Sequence, residues 1–249
     1  MKTLRGFETN GDYRLADRFD RVFHQLAMAG GAREIRFPEQ LPASVLEKAE
    51  YFESFPGNAV FAADGRFFQP AVCYQVYEQF TGRCLPTPLT LTCVGRCRRN
   101  EESCDDGRLT QFTMREVVLL GPAPWVEEQR RSWSVRILEF AGAIGLDASL
   151  EVATDPFFIK ENLRGKKLLQ LLKELKLELQ AGIGDDRRIA LASLNLHEMF
   201  FGRRFQISLL DGSPASSACV AFGLERWSLA ATRQLVAPDL TLNRLMVQR

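Results

Sequence analysis

Two apolar-rich segments, Leu89–Cys97 and Leu109–Gly121, flank the polar stretch NEESCDDGR, and this pairing constrains the fold more than any other feature of the chain. Each segment has the length of a strand, and Asp106-Gly107 between them is a turn signal, so an antiparallel hairpin is expected. Further strand-like pieces follow at 149–153, 174–180, 187–194 and 217–222. Residues 124–145, apolar at Val126, Trp133, Ile137, Phe140 and Ala141, read as one long helix, and another begins near Gly223 and runs to Gln234. Upstream, Leu15, Phe19, Val22, Phe23, Leu26 and Ala27 form the apolar stripe of a helix over 12–30 that ends at Gly30-Gly31. Glu34–Phe37 reads as a short strand stopped by Pro38, and 43–50 as a short helix. The strands cluster without regular βαβ alternation. That predicts an α+β fold, an antiparallel β-sheet flanked by helices, as one domain over residues 1–249.

Charge and composition exclude several functions. Lys and Arg total 32 against 31 Asp and Glu, for a net charge of +1, which argues against a protein that works by coating nucleic acid. No run of about 18 apolar residues is present, so no membrane-spanning helix is expected. The first residues, MKTLRGFETNGDYR, lack the apolar stretch of a secretory signal, and a cytoplasmic protein is expected. The chain has six cysteines, two histidines and no CxxC pair, which excludes a zinc finger or a His-rich site. A mixed site of two distant cysteines and a carboxylate stays open. No GxxxxGK[ST], GxGxxG or GxSxG occurs, so a P-loop, a Rossmann site and a hydrolase elbow are unsupported.

The hairpin carries the first chemical pattern. Strand alternation puts Arg99 and Glu101 on one face; Arg108 sits at the loop base, and Phe112, Arg115 and Glu116 stand on the returning strand. A guanidinium to grip phosphate, a carboxylate to accept from an exocyclic amine and a ring to stack on a base suit a nucleotide. Taken alone, the same residues also suit a solvated hairpin with paired surface charges. The second pattern is ACVAFGLERW (218–227), an apolar strand that stops at Gly223 and turns into a helix. Glycine there would let the backbone turn closely, and Arg226 in the first helical turn is placed to reach an anion.

Together, CRRNE (97–101), RLTQFTMREVVLLG (108–121), DPFF (155–158), SLNLHEMFFGRRFQI (193–207) and ACVAFGLERW resemble a class II aminoacyl-tRNA synthetase core, with its motif 2 over 97–121 and its motif 3 over 218–227. REIRFPEQL (33–41) looks like a degenerate motif 1. The branch most similar is the methanogen-type seryl-tRNA synthetases and their truncated relatives, the amino acid:[carrier protein] ligases. The resemblance implies that Arg99 holds the α-phosphate of ATP, Glu101 contacts adenine N6, and Arg108 sits near the β- and γ-phosphates. It implies that Phe112 stacks on adenine and that Arg226 lies near the γ-phosphate and the other adenine face. Mg²⁺ is expected with the ATP. The branch also holds a zinc ion through two cysteines and a glutamate, matched here by Cys73, Glu116 and Cys219. Three protein ligands leave a fourth position, which the amino acid's α-amino group takes in this family. Without the resemblance, these cysteines would read as small buried hydrophobes and Glu116 as the partner of Arg115 or another base.

Lys176, Glu178 and Gln180 share one strand face that could look into a substrate pocket or into solvent. Ser193 and Asn195 are candidate pocket residues on the next strand. Ala190 departs from the family pattern, which often has a Mg²⁺-binding glutamate there. His197 and Glu198 read as structural.

The motif 1-like segment starts at Arg33, so no tRNA-binding domain is expected, and the near-zero charge also weighs against tRNA as acceptor. A carrier protein with a phosphopantetheine arm is expected instead. It would need only a small basic patch, for which Arg130-Arg131, Arg164–Lys167 and Arg203-Arg204 are candidates, each equally readable as solvated charge. The resemblance thus implies activation of a small amino acid, glycine or alanine first, and a homodimer through Arg33–Leu41. An adenylate-forming enzyme with a different acceptor, and a catalytically silent paralogue, are the other readings.

Overall fold

The computed structural model describes residues 10–101, 104–153, 174–239 and 241–242. In chain order the elements are α1 (Asn10–Ala29), β1 (Arg33–Glu34), β2 (Gln40–Pro42), α2 (Ala43–Lys48), α3 (Tyr51–Ser54), β3 (Arg66–Phe68), α4 (Cys73–Gln79) and β4 (Cys84–Leu85). They continue with β5 (Leu89–Arg98), β6 (Gln111–Gly121), α5 (Ala123–Ala143), β7 (Ala148–Val152), β8 (Lys176–Gly184) and β9 (Arg187–Glu198). The last are α6 (Phe200–Arg204), β10 (Ser208–Leu209), β11 (Ser216–Gly223) and α7 (Leu224–Gln234).

The predicted hairpin forms. β5 and β6 pair antiparallel from Leu89 opposite Leu120 to Arg98 opposite Gln111. β6 starts two residues later than expected, because Asp105 and Arg108 exchange backbone hydrogen bonds across a tight turn. Gly107 supplies that turn with φ +102°, a conformation that glycine adopts without a Cβ penalty. The hairpin belongs to a seven-stranded sheet of order β1-β5-β6-β11-β9-β8-β7. The sheet is antiparallel throughout except at its first edge, where β1 runs parallel to β5. The strand expected over Glu34–Phe37 is shorter and displaced: Arg33 and Glu34 pair with Leu91 and Thr92, and the Ile35 amide makes the last bond to Thr92 before Pro38 intervenes. The fold is α+β, as the clustering of strands implies.

Both faces of the sheet are covered. α1, α5 and α7 pack on one, and every residue of the α1 stripe is buried there. The Phe23 ring stacks on Phe222 at 4.2 Å and contacts Trp227 at 5.0 Å, with Phe19 against Trp227 at 5.5 Å. Each such ring contributes about 1.5–3 kcal/mol by leaving water. The short elements before β5, together with α6, cover the other face, where Tyr77 stacks on Phe201 at 4.0 Å. β6 therefore alternates between two interiors, with Val117 and Leu119 in the first and Val118 and Leu120 in the second. A strand buried on both faces reads as the unbroken apolar run VVLLG.

The alternation also separates two adjacent charges. Arg115 points toward α1, is 2% exposed, and is gripped by Asp20 at 2.6 and 3.1 Å and by Glu34 at 3.3 Å. Its Nη1 donates to Thr92 Oγ1 at 3.1 Å, so one guanidinium ties α1, β1 and the hairpin together. Glu116 points the other way. The alternative of an Arg115–Glu116 pair is thereby excluded.

No helix among the described residues is long and apolar enough to cross a membrane. The DPFF segment and Arg164–Lys167 lie outside the described residues.

Candidate active site and metal centre

A cavity of about 500 Å³ opens on the face that Glu116 occupies. It brings together the sequence-predicted residues Arg99, Glu101, Arg108, Phe112 and Arg226 with Cys73, Glu116, Cys219, Lys176, Glu178, Ser193 and Asn195.

The arginines are held by backbone carbonyls. Arg99 donates from Nε to Pro70 O at 2.9 Å and lies over the Phe112 ring at 5.0 Å. Arg226 donates from Nε to Gly107 O at 2.7 Å, on the hairpin turn, and from Nη1 to Ala190 O at 3.1 Å. Burial pushes the Arg226 guanidinium below its ordinary pKa, with the neighbouring charge of Arg99 the next cause. Such a crowded cationic group gains from an anion between the two. Arg108 lies 3.7 Å from Glu101. Arg99, Arg226 and Arg108 thus gather positive charge beside the Phe112 ring, an arrangement that can receive a phosphate and a base.

Two sequence expectations need correction here. Gly223 has φ −82°, and a Cβ there would meet Arg226 only at an ordinary 3.5 Å, so neither a special backbone angle nor close approach demands glycine. The join between the motifs instead rests on Glu225, which line-by-line reading passed over. Its carboxylate accepts the Thr113 amide at 2.8 and 2.9 Å and clasps α7 to β6. Arg130, read as part of a basic surface patch, is buried: Nε donates to Leu194 O at 3.3 Å and Nη2 to Glu174 O. Arg131 is exposed and pairs with Glu128, and Arg204 pairs with Glu50.

The face shared by Lys176, Glu178 and Gln180 is real, and its first two residues line the cavity. Lys176 Nζ contacts Glu178 Oε1 at 2.9 Å, and Gln180 holds the other oxygen at 2.7 Å. Asn195 Nδ2 donates to Ser193 Oγ at 3.2 Å and to Cys219 Sγ at 3.4 Å. Tyr51, Asn58 and Tyr74 also line the cavity and were not singled out from the sequence; the position of Tyr74 next to Cys73 was the one available signal. Cys93 and Cys97 are buried core residues, and Cys84 and Cys104 are exposed.

Cys73 comes from α4, Glu116 from β6 and Cys219 from β11, and their ligand atoms all lie within 4.8 Å of one another. Strand pairing explains two of the three: Glu116 sits opposite Ala221, so Cys219 falls diagonally beside it on the same face. Glu116 Oε1 accepts the Val72 amide at 2.6 Å, while Oε2 is buried without a hydrogen-bond partner. An orphaned buried carboxylate oxygen is costly unless something else takes its lone pair. Burial, with the Cys219 charge second, pushes the Glu116 carboxyl up to about 7, opposed in part by hydrogen bonds from Cys73 and the Val72 backbone. Of the two thiols, Cys219 is the one pushed below its ordinary pKa, mainly by the Cys73 hydrogen bond and against burial. Two sulfurs and a carboxylate in this proximity fit zinc, and the orphaned oxygen marks where an ion would be satisfied.

No family model matches the chain. The amino acid–[acyl-carrier-protein] ligase 1 of Bradyrhizobium diazoefficiens is 29% identical over 267 residues, covering 92% of this chain and 81% of that protein. Ligase 2 of the same organism is 31% identical over 230 residues, covering 79% of this chain and 68% of that protein. Among solved structures, M. kandleri SerRS in complex with A. aeolicus tRNASec superposes with a TM-score of 0.82 at 16% identity over 99% of this chain, which spans 58% of the synthetase. That likeness establishes the class II synthetase fold.

Proposed function

The chain belongs to the amino acid–[acyl-carrier-protein] ligase family, and from that premise we propose that it activates a small amino acid, of the glycine or alanine class, with ATP and transfers it to the phosphopantetheine thiol of a carrier protein. The observation that carries this reading is the shared cavity. It holds a buried two-thiol, one-carboxylate donor set and a cluster of carbonyl-anchored arginines in one space.

In the proposed reaction, the amino acid carboxylate attacks the α-phosphorus of ATP, pyrophosphate leaves, and an aminoacyl-adenylate forms. The carrier thiol then attacks the acyl carbon and AMP leaves. Charge on the α-phosphoryl group must be held on both sides as it develops. Arg99 does this on the hairpin side, and Arg226 and Arg108 do it toward the pyrophosphate. Both Arg99 and Arg226 are fixed by main-chain carbonyls, so little reorganisation is needed at the transition state. Phe112 gives the adenine a stacking face and Glu101 accepts from its amino group. Lys176, Glu178, Ser193 and Asn195 line the part of the wall we assign to the amino acid.

Cys73, Glu116 and Cys219 would hold the zinc, which when bound supplies a Lewis-acid site for the amino group of the substrate. Mg²⁺ accompanies ATP in this reading, without a carboxylate at position 190, where Ala190 offers its carbonyl to Arg226 instead. The near-zero net charge weighs against tRNA as the acceptor. The protein would work in the cytoplasm, where thiols stay reduced, and as a homodimer through Arg33–Leu41, whose β1 is an edge strand of the sheet.

Amino-acid-dependent ATP–pyrophosphate exchange, measured across the standard amino acids with zinc and Mg²⁺ supplied, tests activation. Exchange with a small amino acid is expected, and none with any of them would sink the proposal. Incubating the charged enzyme with holo-carrier protein and with tRNA then separates the acceptors.

A further inference from the structure

His197 lies outside the donor set, yet it is built into it. In the β9–β11 pairing, Asn195 stands opposite Cys219, Leu196 opposite Ala218 and Glu198 opposite Ser217. His197 is the residue left over, the extra member of a β-bulge, and bulges re-aim side chains at functional sites. The following residue, Glu198, has φ +50°, the left-handed backbone that closes the bulge. The imidazole is 5% exposed and lines the cavity. Phe201 fixes the ring edge-on at 4.8 Å, and Tyr77 packs on Phe201 behind it.

Both ring nitrogens are directed. Nε2 lies 3.8 Å from Cys219 Sγ, and Nδ1 lies 3.2 Å from both Tyr77 Oη and Ser217 Oγ. A cysteine sulfur that ligates a metal has given up its proton, so beside it Nε2 must carry the hydrogen. In the neutral ring Nδ1 is then an acceptor, and the hydroxyls of Tyr77 and Ser217 share its one lone pair as donors. We propose that His197 is a positioning residue for the metal centre: its Nε2–H donates to Cys219 Sγ, fixes the sulfur's place in the three-ligand set and withdraws charge from it, while Tyr77 and Ser217 lock the tautomer. The inference rests on Cys73, Glu116 and Cys219 being the metal ligands. Groups of this kind typically alter metal affinity 10–100-fold when removed.

The test is metal binding rather than turnover. Zinc affinity is measured by chelator competition, and the cobalt(II)-loaded protein is read by its thiolate-to-metal charge-transfer band. His197→Phe keeps a ring but no donor; it should weaken zinc binding about 10–100-fold and shift the band. His197→Gln, which returns an N–H, should recover part of the loss, and Tyr77→Phe should move both readouts the same way by less. Cys219→Ala serves as the control that loses the metal. Wild-type affinity and an unshifted band in His197→Phe and Tyr77→Phe, with the metal lost from Cys219→Ala, would overturn the role of His197 alone. Metal retained by Cys219→Ala would overturn the ligand assignment and this inference with it. Should His197→Phe fail to fold by thermal melting, Tyr77→Phe decides: unchanged affinity and spectrum refute the proposal.

Discussion

The two faces of the central sheet are built from the same strands but solve different problems. Under α1, α5 and α7 the face is aromatic and aliphatic, and the charge that β6 buries there, Arg115, is engaged by Asp20, Glu34 and Thr92. On the opposite face Glu116, one residue along, keeps an oxygen with no partner, and buried thiols and guanidiniums crowd a cavity. The first face stores stability, and the second gives some of it up to keep groups poised for a ligand. The contrast shows how a β-strand can serve both ends at once: alternation assigns each successive residue of β6 to one role or the other.

Substitutions can break this contrast in order of expected effect. Cys73→Ala or Cys219→Ala should abolish stoichiometric zinc binding, read by elemental analysis, while the metal-free chain still unfolds cooperatively. Arg99→Ala or Arg226→Ala should lower amino-acid-dependent pyrophosphate exchange about 10²–10³-fold, the usual cost of one preorganised charge-stabilising group, with little change in melting temperature. On the other face the signs reverse. Trp227→Ala should cost about 3–5 kcal/mol in denaturant unfolding, and any activity lost should follow the unfolded fraction. Arg115→Ala should cost about 3 kcal/mol, toward the low end for a broken buried pair, because Asp20 and Glu34 remain about a quarter exposed and can rehydrate. Cys84→Ser, at the exposed first residue of β4, should change stability by less than about 0.5 kcal/mol and leave exchange unaltered. If Arg115→Ala proved as damaging to exchange as Arg99→Ala without unfolding the protein, the division of labour between the faces would be wrong.

What could be read from the sequence follows the same division. The apolar stripe of α1 has a long, regular period and the hairpin strands are long apolar runs, so these elements were legible. The cavity residues were legible only through ordered motifs, because an arginine held by a carbonyl looks like any surface arginine in a one-dimensional pattern. Arg130 shows the limit: it sits in a charged helical run, yet it turns inward to the carbonyls of Leu194, within β9, and Glu174, just before β8. The β2–β3 pair and α4 escaped because three-residue strands and a seven-residue helix carry too little period, and their positions are fixed by contacts such as the Gln69 and Gln75 amides on distant carbonyls. His197 read as structural because nothing in the sequence marks a bulge.

The donor set draws on parts of the fold with unequal resistance to opening. β11, which carries Cys219, and β6, which carries Glu116, are paired on both edges inside the sheet, so their amides should exchange with solvent only near global unfolding. Cys73 opens the seven-residue α4, outside the sheet. Short helices of this kind fray at far lower free energy than central strands. An ion held by this set would then enter and leave through Cys73: a transient opening of α4 would swing one sulfur away while the other two ligands hold still. Metal exchange and α4 amide exchange should share a rate that the rest of the sheet does not.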